Sequence, residues 1–255
     1  MYFEDEGGAG TPVVLYGGIL DSVELVRSSH IARALEELSA EFRLIFADHR
    51  GLGGSDKPHD VEAYAMPLQV ADAVAVLDEL GVERAHLVGR SYGGRLAFGM
   101  GAHAPARVLS LVAGGQQPYA VDPDGPLARV IAGVFEATRR EGARAFVEAL
   151  EGYWDVRFPD AERLGYLAQD GEAVAAAAEA MLTQGAISED LRTWRVPCLI
   201  YLGAGDVDFV EQARRAADEI PNARFVALDD LDHYGAHFEA DSVIPAVLQT
   251  LRESS

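Results

Sequence analysis

The chain has 255 residues, with 21 Lys and Arg against 41 Asp and Glu, a formal charge of −20 with histidines neutral. So large an acidic excess repels nucleic-acid phosphates and anionic lipid surfaces, since binding to either rests on clustered Lys and Arg. With 49% hydrophobic residues and one cysteine, the composition is that of a single globular domain. It excludes a disulfide scaffold and a multi-thiolate zinc site.

The opening residues Met1 to Glu6 are acidic and lack the basic start and apolar stretch of a secretory signal. No run approaches the ~18 apolar residues of a membrane span. The expectation is a cytoplasmic protein. The run Thr11 to Tyr16 is short, apolar and β-branched and stops at Gly17-Gly18, as a buried strand ending in a tight turn would. A second strand is predicted from Phe42 to Phe46. Between them a helical pattern carries Ile31, Leu35 and Leu38, with Ser28 or Ser29 as its cap. The next helix shows Val70, Val74, Leu77 and Leu80 on one stripe and ends at Gly81, a natural left-handed stop. Ala85 to Val88 and Val108 to Ala113 read as strands three and four. Tyr2 to Glu4 form at most one edge.

From about residue 120 to 192 the pattern changes. Helical stretches occur, such as Leu127 to Ala149 and Glu172 to Leu182, but no good strand. Strand signals return at Pro197 to Leu202, around the sole cysteine Cys198, which reads as a buried structural thiol, and again at Arg224 to Leu228. A helix is expected between them at Val210 to Ile220, and a last one near Val243 to Leu251. Continuous apolar runs separated by amphipathic helices imply an α/β class, with a mostly parallel central sheet flanked by helices. The predicted organisation is a core of residues 1–119 and 193–255 with a helical cap inserted at 120–192.

The sharpest chemical signal is Gly89-Arg90-Ser91-Tyr92-Gly93-Gly94, directly after a predicted strand and before the helical pattern Leu96, Ala97, Met100. A strained strand-to-helix turn of this kind lifts a serine hydroxyl above the sheet edge and needs glycines where neighbouring backbone closes in. Serine is a poor nucleophile unless a base takes its proton and a third group orients that base. Asp206, in the loop after the strand ending at Leu202, and His233, in the loop after the next strand, complete the order Ser, acid, His. Asp208 is the competing acid and His237 the competing base. The other histidines (His30, His49, His59, His86, His103) lack metal-ligand spacing and default to exposed or satisfied core positions. Gly51-Leu52-Gly53-Gly54 fails the dinucleotide fingerprint, because its third glycine would fall at Asp56, and no Walker loop is present.

These features resemble the α/β-hydrolase family. Besides the elbow, Asp48-His49-Arg50-Gly51-Leu52-Gly53-Gly54-Ser55 is similar to the family's D-x-R-G-x-G-x-S loop, and Val13 to Gly18 is similar to its strand ending in His-Gly, with Tyr16 in place of the histidine. The resemblance implies Ser91 as nucleophile, His233 as base, Asp206 as acid, and the backbone N–H groups of Gly18 and Tyr92 as the oxyanion hole. It implies a cofactor-independent and metal-independent serine hydrolase acting on a small-molecule ester or lactone. Carbon–carbon cleavage, acyl transfer, or a receptor with slow hydrolysis are the alternatives on the same triad. Relatives that open epoxides or displace halide carry Asp where this chain has Ser91. Tyr16, Ile19, Tyr234 and Trp154 are expected to wall the pocket, with Tyr153 and Phe158 nearby in the cap. Asp229, Asp230 and Asp232 are expected to favour the charged form of His233 if their field reaches it.

Overall fold

A computed structural model describes residues 1–238 and 240–255, with the side chains of residues 237–240 lying outside the described residues. Among the described residues seven strands are found: β1 (Phe3–Asp5), β2 (Thr11–Tyr16), β3 (Phe42–Ala47), β4 (Ala85–Arg90), β5 (Val108–Gly114), β6 (Cys198–Gly203) and β7 (Ala223–Leu228). They form one sheet in the order β1-β3-β2-β4-β5-β6-β7. The short β1 runs antiparallel along the edge of β3, and every other pairing is parallel. Helices α1 (Val23–Arg27) and α2 (His30–Glu36) follow β2, α3 (Met66–Glu79) follows β3, and α4 (Tyr92–His103) follows β4. Between β5 and β6 lie α5 (Pro126–Ala132), α6 (Phe135–Glu141), α7 (Arg144–Trp154), α8 (Asp160–Leu167) and α9 (Gly171–Thr183). Helix α10 (Val210–Glu219) joins β6 to β7, and α11 (Gly235–Phe238) and α12 (Ile244–Glu253) close the chain.

The apolar strands alternate between two cores. Val14, Ile45, Leu87, Leu111 and Ile200 face one side with α3 and α4, whereas Val13, Leu15, Leu44, Val88, Val112 and Leu199 face the other with α1, α2 and α12. Burial of each such side chain contributes roughly 1.5–3 kcal/mol, and covering both faces is what a continuous apolar strand requires. Several boundaries differ from the sequence pattern. The stretch from Leu127 to Ala149 is divided among three helices, broken at Gly133 and at Gly142, which has φ +84°. Leu38 falls beyond the end of α2, whose N-cap is Ser29, its side chain accepting from the Ala32 N–H. Gly81 does adopt φ +64° after α3.

The chain moves from β2 to β3 on one side and then to β4 on the other, so the crossovers diverge between the C-terminal ends of β2 and β4. A crevice opens at such a reversal. The loop at Gly17-Gly18 and the turn at Ser91 meet there, bonded through the Gly93 N–H to the Gly17 carbonyl at 2.9 Å. Arg95 ties the helical segment to this region. Fully buried on α4, it donates to the carbonyls of Tyr119 (3.0 Å), Gln117 (3.4 Å) and Gly185 (3.1 Å), which flank α5–α9 on both sides.

Candidate active site

Ser91 is one of three non-glycine residues with positive φ among the described residues, at φ 51° and ψ −113°. Such a conformation costs on the order of 1–3 kcal/mol and persists only where its surroundings enforce it. Gly89 and Gly93 make it feasible. A Cβ on Gly89 would lie 2.1 Å from the Gly93 carbonyl oxygen, and one on Gly93 would lie 2.5 Å from the Tyr16 carbonyl oxygen. The Ser91 N–H is held by the Gly114 carbonyl at 2.7 Å.

Above this turn, His233 Nε2 lies 3.1 Å from Ser91 Oγ, and His233 Nδ1 lies 2.7 Å from Asp206 Oδ2. Since a carboxylate accepts, Nδ1 carries the proton, leaving Nε2 to accept from the serine hydroxyl. Asp206 and His233 are both buried. The competing acid, Asp208, is engaged elsewhere: it accepts from the Tyr153 hydroxyl at 2.6 Å and from the Leu127 N–H at 3.2 Å, pinning α7 and α5 to the loop after β6. The competing base His237 has a side chain outside the described residues. Asp229 and Asp230 are exposed, and Asp232 accepts from the Gly235 N–H at 2.6 Å, so the carboxylate in contact with the imidazole is Asp206.

Trp154, at the end of α7, stacks on the His233 ring with centroids 5.4 Å apart and planes 6° from parallel. Phe209 covers the ring at 5.8 Å and 54°. Trp154, Phe158, Tyr166, Tyr234, Ile19 and Leu150 wall a cavity that reaches Ser91 and His233. Of the expected pocket residues, Ile19, Tyr234 and Trp154 line it. Tyr16 does not, and this corrects the sequence expectation: as the last residue of β2 its ring points into the core, against His49 at 5.0 Å.

From sequence alone His49, like the other remaining histidines, defaults to an exposed or satisfied core position. It supports the Gly17-Gly18 loop directly, its Nε2 lying 3.1 Å from the Gly17 carbonyl and its ring 4.8 Å from that of Tyr92. Burial lowers its pKa to about 4, so at neutral pH the ring is uncharged and Nε2–H donates to the carbonyl. Asp48 fastens the neighbouring loop by accepting from the Val23 and Gly54 N–H groups, each at 2.6 Å.

The two expected oxyanion donors differ. Tyr92 is the first residue of α4, so its N–H has no intrahelical acceptor and sits at the positive end of the helix. The Gly18 N–H is already bonded, at 2.5 Å, to Oδ2 of the buried Asp21. The same oxygen accepts from Arg90 Nη2 at 3.0 Å. Neither Asp21 nor Arg90 carries a motif signature that assigns it this position. The expected Gly18 donor is therefore occupied by a carboxylate. Among the described residues no group of three or more His, Cys, Asp or Glu could hold a metal ion, and no helix is long and apolar enough to cross a membrane. Cys198 is buried in β6, and burial pushes its thiol up to about 12.

The chain belongs to the α/β-hydrolase fold family, whose sequence model matches residues 11–240. Among curated relatives, it is 28% identical to the protein named "Putative carbamate hydrolase RutD" of Caulobacter sp. (strain K31), over 93% of this chain and 88% of that protein. It is 36% identical to a 2-hydroxymuconate semialdehyde hydrolase of Pseudomonas sp. (strain CF600), over 42% of this chain and 37% of that one. Its fold is similar to the crystal structure of the enol-lactonase from Burkholderia xenovorans LB400, with TM-score 0.83 and 23% identity, over 98% of this chain and 96% of that chain.

Proposed function

We propose that the protein is a serine hydrolase that cleaves a carboxylic ester or lactone through an acyl-Ser91 intermediate. The observation that carries this reading is the continuous chain of contacts from Ser91 Oγ to His233 Nε2 and from His233 Nδ1 to Asp206. His233 takes the Ser91 proton as Oγ attacks the carbonyl carbon, and Asp206 holds the imidazole in the required tautomer and stabilises the imidazolium. The imidazolium returns that proton to the leaving alkoxide as the carbon–oxygen bond breaks. Water, activated by the same imidazole, then releases the acid and restores Ser91. The Tyr92 N–H is one donor to the developing oxyanion. Residues 120–192 act as a cap, with Trp154, Phe158 and Tyr166 selecting the substrate.

Ester and lactone chemistry is preferred because water and the triad suffice for it and because the cavity is largely apolar. The test is a panel of activated esters of graded acyl length, simple lactones and vinylogous 1,3-diketones, assayed with the parent and with Ser91→Ala. Turnover of an ester or lactone that the variant abolishes is the expected result. Diketone cleavage without ester turnover assigns carbon–carbon hydrolysis to the same triad, and thermal stabilisation by a compound without turnover assigns a receptor.

A further inference from the structure

Acyl transfer at Ser91 develops negative charge on the substrate carbonyl oxygen, and that charge needs donors fixed in advance. Resting on the reading above, the difficulty lies at the second donor. The Gly18 N–H holds Asp21 Oδ2 at 2.5 Å, and an oxyanion arriving at that N–H meets a carboxylate already bonded to it. Two anions cannot share one amide without strong repulsion in a buried site. A cation stands beside them. Arg90 Nη2 is 3.0 Å from Asp21 Oδ2 and 3.0 Å from where a Cβ on Gly18 would lie, and Arg90 lines the same cavity as Ser91. Apart from His233 it is the one basic side chain among the described residues lining that cavity. Its Nε is buried with no hydrogen-bond partner among the described residues.

We propose that Arg90 donates to the tetrahedral oxyanion in place of the Gly18 amide, with Asp21 as the positioning residue that holds the guanidinium beside Ser91. The guanidinium carries five N–H donors in a rigid plane, so one edge can stay on Asp21 while another turns to the oxyanion. Its charge balances Asp21 in the free enzyme, and a charge-assisted bond to the oxyanion is stronger than one from a neutral amide. The fixed pair also explains why the Gly18 N–H can be surrendered: its role becomes holding Asp21, and through it Arg90. No atom is transferred to or from either residue during the reaction.

The test compares Arg90→Gln and Arg90→Lys with the parent for kcat and KM on an activated ester, and for the rate at which a fluorophosphonate modifies Ser91. Arg90→Gln should lower kcat and the modification rate together by about 10²–10³-fold, the effect of losing one oxyanion donor, with KM little changed. Arg90→Lys, which keeps the charge without the fork, should recover part of that loss. Because Arg90→Gln leaves Asp21 buried without its cation and could fail to fold, a second measurement uses the unaltered protein. In a crystal structure of its trifluoromethyl ketone adduct on Ser91, the hemiketal oxygen should lie about 3 Å from an Arg90 nitrogen and from the Tyr92 nitrogen. An oxygen held by Tyr92 together with the Gly18 or Ile19 amide, away from the guanidinium, overturns the proposal, as does a variant whose KM alone changes. Failure of the unaltered protein to form any adduct at Ser91 overturns the serine-hydrolase reading itself.

Discussion

His86 offers a stability prediction worked from burial. The ring is fully buried in β4, with Nδ1 2.8 Å from Ser110 Oγ and Nε2 3.2 Å from Ser255 Oγ. Burial, with a smaller contribution from Arg84, lowers its pKa from 6.5 to about 4. As pH falls through 6.5 the unfolded chain takes up a proton that the folded protein refuses until about 4, so stability is lost across that window. Between pH 7 and pH 5 the loss attributable to this one ring is about 2 kcal/mol, approaching about 3 kcal/mol at lower pH. His86→Gln removes the titrating group, and whatever its hydroxyl contacts are worth is removed equally at both pH values. Urea unfolding of parent and variant at pH 7 and pH 5 reads the difference directly. The parent should lose about 2 kcal/mol more than the variant on going from pH 7 to pH 5. Parallel losses in the two proteins would refute the assignment of a buried, neutral histidine.

The site makes sharper demands. Asp206→Asn should keep the fold and lower kcat by about 10⁴-fold, since the amide no longer fixes the His233 tautomer; circular dichroism and initial rates check both halves. Asp208→Ala should instead destabilise the protein by about 1–3 kcal/mol and speed proteolysis within residues 120–192, through loss of the Tyr153 and Leu127 contacts. Fluorophosphonate labelling of Ser91 should stay close to the parent rate in that variant, and a collapse comparable to that of Asp206→Asn would make Asp208 the working acid. Trp154→Leu removes the ring stacked on His233 and one cavity wall. Steady-state kinetics should show kcat/KM reduced by about 2–10-fold, the range for a lost aromatic pair.

How much of this was legible follows from the range of the interactions involved. The strands announced themselves because both faces of the sheet are covered, which makes β2, β4, β5 and β6 continuously apolar. Ser91, Asp206 and His233 could be placed because each follows a strand at its C-terminal end, a position set by chain order. The fate of Gly18 could not be read in this way. Asp21 returns to its amide only through the turn closed by the Asp21 N–H on the Gly18 carbonyl at 3.1 Å, and Arg90 arrives from a strand 69 residues later. His49 was hidden for a related reason. Its ring reaches the Gly17 carbonyl across 32 residues, and no local pattern separates it from any other core histidine. Tyr16 reads from sequence as a pocket residue because its neighbours Gly17 and Gly18 form the loop that meets the Ser91 turn, whereas its place at the end of β2 turns the side chain into the core. The helices from α5 to α9 were visible as a helical region but not as five units, because short helices are bounded by tertiary packing more than by propensity.

The central claim is that Ser91 is an activated nucleophile. Incubating the purified protein and its Ser91→Ala variant with a fluorophosphonate and reading the intact mass tests it most directly. A single adduct on the parent, absent from the variant, is the predicted result; an unmodified parent, or an adduct that persists in the variant, would contradict the account.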